Sequence, residues 1–142
     1  MPTINLPNFD QVELAPPQLD PGEYMMSISQ KPEIKTNPNG KQYLEVRYKV
    51  IEGPEQQKPD PGTGSKDPTG RVVPDRYYLV EGAEFRIKRL LVSTGIIARD
   101  DKESPVAQGN FNTDILMGVK LPVNVTIQMN NGKEYRNYDP VV

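Results

Sequence analysis

The stretch from Asn37 to Val50 constrains the fold more than any other part of the chain. Asn39-Gly40 is a dipeptide that takes positive φ cheaply, so it predicts a tight hairpin turn with both residues left-handed. Beyond it Leu44, Val46, Tyr48 and Val50 point one way, and Tyr43, Glu45, Arg47 and Lys49 point the other. That period of two is a strand with one core face. The opposite face holds two cations and an aromatic ring. A solvated strand has such a face, and so has a surface that neutralises phosphates and stacks bases.

Composition removes many alternatives. The chain has 142 residues, which fits one domain with a real core. Its 15 prolines and 11 glycines predict long loops. Without cysteine there is no disulfide framework and no thiolate zinc site. Without histidine there is no usual general base, no usual zinc ligand and no Ser-His or Cys-His pair. Asp100, Asp101 and Glu103 form the densest acidic group but lack the spacing of a calcium loop. Gly62 to Lys66 superficially resembles a phosphate loop, yet the Gly-Lys-Ser/Thr ending and the following helix are missing. The expectation is therefore a protein that is not an enzyme and uses no cofactor or metal. No apolar run approaches the length of a membrane span, and the first residues lack the basic and apolar regions of a signal peptide. A soluble, intracellular protein is expected.

Residues 1–21 contain Pro2, Pro7, Pro16, Pro17 and Pro21, too many for a helix or a central strand. They read as an extended arm with Ile4, Leu6, Phe9 and Val12 as anchors, packing on its own domain or on a neighbour. Residues 22–142 read as a single domain. Its first strand runs from Gly22 to Ile34, with a loop over Lys31 to Gly40, and the second from Lys41 to Ile51. Glu52 to Gly70 is too rich in proline and glycine for a regular element and reads as a flexible loop. A third strand follows over Arg71 to Val80, with Pro74 marking an edge or a bulge. Ala83 to Thr94 has a helical pattern with Phe85, Ile87, Leu90, Leu91 and Val92 on its apolar face and Gly95 as its stop. Thr113 to Met117 reads as one helical turn. Val119 to Met129 alternates, with Val119, Leu121, Val123, Val125, Ile127 and Met129 inward. Asn131-Gly132 then turns the chain into a last strand, Lys133 to Tyr138. All-β with one α-helix, as a five-stranded barrel with the helix between strands 3 and 4, is the oligonucleotide/oligosaccharide-binding (OB) architecture.

The net charge of −2 hides an uneven layout. Residues 1–30 hold Asp10, Glu13, Asp20 and Glu23 and no cation, whereas residues 31–49 hold Lys31, Lys35, Lys41, Arg47 and Lys49 against two glutamates. The chain has no tryptophan, so its tyrosines are the informative rings. Lys35, Lys41, Arg47, Lys49, Arg76 and Arg136 are the candidate phosphate contacts, and Tyr43, Tyr78 and Tyr135 the candidate base platforms. Parity leaves open which of Tyr77 and Tyr78 faces out, and Tyr78 is favoured. Arg86, Lys88 and Arg89 are expected to be solvated on the helix.

The chain resembles the small phage-encoded single-stranded DNA-binding proteins long catalogued as phage proteins of unknown function. The resemblance rests on Asn8 to Glu13, Asp20 to Tyr24, Asn39 to Val50 with Glu52-Gly53, and Phe85 to Leu91. It continues through Thr94 to Ile96, Leu116 to Lys120 and Asn137 to Pro140. It implies an OB-fold and sequence-tolerant cover of single-stranded DNA in phage DNA replication or recombination, in the cytoplasm of the infected bacterial host. Partners would be single-stranded DNA and phage replication or recombination proteins, with self-association open and no membrane. Two other readings stand beside it. One is a structural or accessory phage protein that works through protein contacts, its arm swapped onto a neighbour. The other is a carbohydrate-binding module, poorly served by a chain without tryptophan.

Overall fold

The alternating segments become strands, and the turn residues between them set the pairing. A computed structural model describes residues 2–7 and 18–142. In chain order the elements are β1 (Gly22–Ile28), β2 (Glu33–Thr36), β3 (Gln42–Glu52), β4 (Val72–Tyr78), the helix α1 (Phe85–Ser93), a 3-10 turn at Thr113–Leu116, β5 (Lys120–Asn130) and β6 (Lys133–Pro140). The fold is mostly β with a single α-helix among the described residues. Six strands form one antiparallel open sheet in the order β2-β3-β1-β5-β6, with β4 on the other edge of β3. The count among the described residues is six rather than five because the first strand stops at Ile28 and a further strand, β2, forms within Lys31 to Gly40, the segment expected to be a loop. Around Pro32, which cannot donate to a ladder, the chain leaves β1 and re-pairs lower on the same edge of β3. No ladder joins β4 to β6, so the strand pairing itself closes no barrel.

The two Asn-Gly turns differ. At Asn131-Gly132 both residues are left-handed, with φ of 52° and 78°, as expected of a two-residue hairpin. At Asn39-Gly40 only Gly40 is left-handed. Asn37 accepts from the Gly40 amide at 2.9 Å and donates to the Lys41 carbonyl at 2.9 Å, so the loop is three residues long. Pro38 presets the first bend, and the Asn37 side chain takes the amides of Asn39 and Lys41. Gly95 ends α1 as expected, with φ of 80°; Ile96 donates to Leu91 and Gly95 to Val92, the paired bonds of a glycine-terminated helix.

One face of the sheet is the core. Leu44, Val46, Tyr48 and Val50 from β3 meet Tyr24, Met26 and Ile28 from β1 and Leu121, Val123 and Val125 from β5, all buried. Leu90 and Leu91 bring α1 into that core, while Phe85, expected on the helix's apolar face, is 62% exposed. The inward row of β5 stops at Val125, where its ladder with β1 ends. Ile127 and Met129 lie beyond it and are exposed, since only β6 covers that end.

The arm and the long loop also differ from expectation. Residues 2–7 pair with no strand, and Ile4 and Leu6 are exposed rather than anchors; Phe9 and Val12 lie outside the described residues. Leu19 is the buried residue instead, and its carbonyl accepts from Arg136 Nε at 2.7 Å. The segment after β3 holds no helix or strand but is tied down by Gln56, a polar side chain buried beneath it. Gln56 Nε2 donates to the Tyr24 hydroxyl and to the Pro54 carbonyl, each at 2.8 Å, and its Oε1 accepts from the Asp20 amide. The Tyr24 hydroxyl in turn donates to the Asp20 carbonyl at 2.6 Å. Gly53 passes so close to the Tyr24 ring that a Cβ there would fall inside it.

Arg86 leaves the helix surface and reaches into the gap between β4 and β6. Its Nη1 donates to the Arg76 carbonyl at 2.8 Å, and its Nη2 to Asp75 at 2.9 Å and to the Tyr138 carbonyl at 3.3 Å. The guanidinium also lies over the Tyr77 ring, 4.6 Å from its centroid. The expectation of a solvated Arg86 is thus corrected. Breaking a buried ion pair costs roughly 3–5 kcal/mol because the partner charge is stranded, and the 28% exposure of this side chain points to the low end. Arg86→Met is predicted to lower the unfolding free energy by about 3 kcal/mol in urea titrations. Arg86→Met with Asp75→Asn should recover part of that loss. A loss below about 1 kcal/mol for the single variant would remove Arg86 from this role.

Candidate nucleic-acid interface

The opposite face of the β2–β3–β4 unit is assembled by register. Lys35 pairs with Tyr43 and Tyr43 with Tyr78; Glu33 pairs with Glu45 and Glu45 with Arg76; Arg47 lies opposite Pro74 and Lys49 opposite Val72. Seven of the nine candidate residues therefore lie on this face or in its turn: Lys35, Lys41, Tyr43, Arg47, Lys49, Arg76 and Tyr78. Tyr77 is fully buried in the core, and Tyr78 points outward. Pro74 occupies an edge strand, as its missing amide requires.

Tyr43 is not the open platform that alternation suggested. It is only 6% exposed, since Tyr78 packs against it at 5.5 Å between centroids and Arg76 lies over its ring at 4.6 Å. The outermost layer of this face is Tyr78 and Arg76, with Tyr43 as their floor. The neighbouring Arg76 guanidinium is the chief cause lowering the Tyr78 phenol below its ordinary value, with Asn37 and the charge of Lys41 adding to the effect. No simple parity rule reveals such a triad, because it joins residues of two strands 35 positions apart (Tyr43 and Tyr78).

The cations around it are not equally free. Glu45 holds Lys35 and Arg47, each at 3.2 Å, and Lys35 also lies 3.7 Å from Glu33. The hydrogen bond from Lys35, then that from Arg47, keeps the Glu45 carboxyl below its ordinary range. Lys41 and Lys49 are exposed and have no ion pair among the described residues. Lys31, at the mouth of the first loop, is paired with Asp114 at 3.2 Å.

Arg136 and Tyr135 stand apart on β6. Arg136 is 90% buried, bound to the Leu19 carbonyl and to Glu134, so it fastens the chain entering β1 rather than presenting a charge. Its neighbour Tyr138, of the same parity, is in the core. Tyr135 is 48% exposed on the other face of β6, opposite Gln128. Among the described residues no group of three or more acidic side chains could hold a metal. Asp101 instead accepts from the amides of Glu103 and Ser104, and Asp67 from Thr69. No described helix is long and apolar enough to cross a membrane. No family model matches the sequence, and no curated protein matches it significantly.

The two classes of tyrosine give a titration test. Burial raises the phenols of Tyr24, Tyr48 and Tyr77, and pushes Tyr138 up to about 12 from 10.0. A folded value above the unfolded one means that this stabilisation is intact below pH 10 and is lost as pH rises through 12. Tyr78 has the opposite sign and ionises before these four, without cost to the fold. Phenolate absorbance against pH should show an early component that Tyr78→Phe removes, and a late one coincident with loss of the β-sheet circular dichroism. An early component unchanged in Tyr78→Phe would contradict the Arg76–Tyr78 contact.

Proposed function

We propose that this chain is a non-enzymatic, sequence-tolerant binder of single-stranded DNA that acts in phage DNA replication or recombination, in the cytoplasm of the infected bacterium. The observation that carries the reading is the stacked Arg76, Tyr43 and Tyr78 group with Lys41, Arg47 and Lys49 exposed along the same face. A ring for bases beside cations for phosphates is what sequence-tolerant single-strand binding needs. Tyr43 to Lys49 spans roughly 20 Å at the rise of a strand, so a single strand running along β3 would meet ring and cations in succession. Phosphates would take over Lys35 and Arg47 from Glu45. We read the sheet as an OB-type barrel in which Arg86, in place of a ladder, joins β4 to β6. The helix between β4 and β5 suits that architecture.

Fluorescence anisotropy of labelled oligo-dT at low and moderate salt, with the matching duplex in parallel, tests this. Tight binding of the single strand alone, weakening steeply with salt, is expected. Tyr78→Ala should lose about 1–3 kcal/mol of binding per stacked base, roughly 5- to 150-fold. Arg47→Ala should reduce the slope of log affinity against log salt by about 0.7. Arg136→Ala should leave that slope unchanged while lowering thermal stability. A flat salt response or equal binding of duplex would sink the mechanism. The second reading, a structural or accessory phage protein acting through protein contacts, draws on the exposed apolar side chains of Ile34, Leu79 and Phe85. Failure to bind any single strand at low salt would leave that reading in its place.

A further inference from the structure

The outer edge of β2 is unpaired: among the described residues β2 pairs only with β3. Because the Asn37 amide donates to the Lys41 carbonyl, alternation along β2 turns the N–H and C=O of Ile34 and Thr36 away from β3, where no strand among the described residues meets them. Unpaired strand edges template the addition of another strand. Beside this edge, on the core side of the sheet, lies an open groove of about 600 Å³ lined by Ile34, Leu44, Leu79, Phe85, Ile87 and Phe111, among others. Ile34 is 57% exposed and Phe85 is 62% exposed.

The same chain carries a segment that matches this edge. Residues 2–7 read Pro-Thr-Ile-Asn-Leu-Pro, with no charge and with Ile4 and Leu6 two apart, so that in an extended chain both side chains share a face. Thr3 to Leu6 is four residues long between two prolines, and β2 is four residues long. Prolines limit a ladder at both ends. The segment is not helical and is exposed throughout, Ile4 at 81% and Leu6 at 55%. Among the described residues of one chain, therefore, the arm and the groove are both left uncovered.

We propose that the arm of a second copy adds to the free edge of β2 and lays Ile4 and Leu6 into the groove against Ile34 and Phe85. Backbone bonds to Ile34 and Thr36 supply the pairing, and the two apolar side chains set the register. Reciprocal exchange satisfies both copies and gives a closed, twofold dimer.

Sedimentation velocity of the full chain over a concentration series reads the assembly. The wild type should sediment as two chains. Ile4→Asp with Leu6→Asp on the arm, and separately Phe85→Asp in the groove, should each sediment as one, with unchanged circular dichroism. The chain has no cysteine, so an introduced pair reports contact without interference. An oxidised mixture of Leu6→Cys and Phe85→Cys single variants should give a disulfide-linked pair of chains. A single chain at every concentration, a dimer that survives both charged variants, or a link formed only within one chain in the double-cysteine variant would each overturn the proposal. The charged arm variant changes only exposed side chains, so it remains decisive even if Phe85→Asp misfolds. None of these changes touches Tyr78, Arg76 or Arg47, so oligo-dT anisotropy on the same samples separates this proposal from the DNA-binding one.

Discussion

The guanidinium of Arg86 binds two strands that do not bind each other. It donates to a carbonyl of β4 and a carbonyl of β6, pairs with Asp75 and covers the ring of Tyr77. Only a planar fork of five donors can serve a carboxylate, two backbone oxygens and a ring face at once. Burial raises the Asp75 carboxyl above its ordinary value, and Arg86 is the largest influence opposing that rise. Beneath the pair the hydroxyls of Tyr48 and Tyr77 bond to one another in the core, so a polar column runs from the helix to β3. Holding Tyr77 inward in this way turns Tyr78 outward, since successive side chains of a strand point to opposite faces.

That orientation governs the candidate interface. With Tyr78 facing out, the β3–β4 register sets it opposite Tyr43 and brings Arg76 opposite Glu45. The face is mixed in charge by construction: Glu45 restrains Lys35 and Arg47, while Lys41, Lys49 and Arg76 remain available. A surface of this kind can favour phosphates locally although the chain as a whole is slightly acidic.

A second fastening lies where the chain enters β1, with Leu19 and Tyr138 lining one pocket. Gln56, Tyr24 and Asp20 satisfy one another's polar groups below the loop that follows β3, and Arg136 holds the carbonyl of Leu19. Arg136 and Tyr138 are thereby committed to the structure, which leaves β3 and β4 to carry the exposed chemistry. A buried amide with all its bonds made is far less costly than one left unpaired, and this is why a loop so rich in proline and glycine still adopts one path.

The strands of β3, β5 and β6, the Asn131-Gly132 turn, the stop of α1 at Gly95 and the edge position of Pro74 were legible in the sequence. Each depends on neighbours a few residues away: side-chain alternation, left-handed φ, a missing amide. The site was legible in part, since parity set Arg47, Lys49 and Arg76 on exposed faces. Parity could not say that Tyr43 would be roofed by Tyr78 and Arg76, that Arg86 would turn inward, that Arg136 would be spent on Leu19, or that Gln56 would be buried. Those outcomes depend on which residues distant in the chain are brought side by side. Register and the long reach of an arginine or glutamine side chain decide that, and only the assembled sheet fixes them.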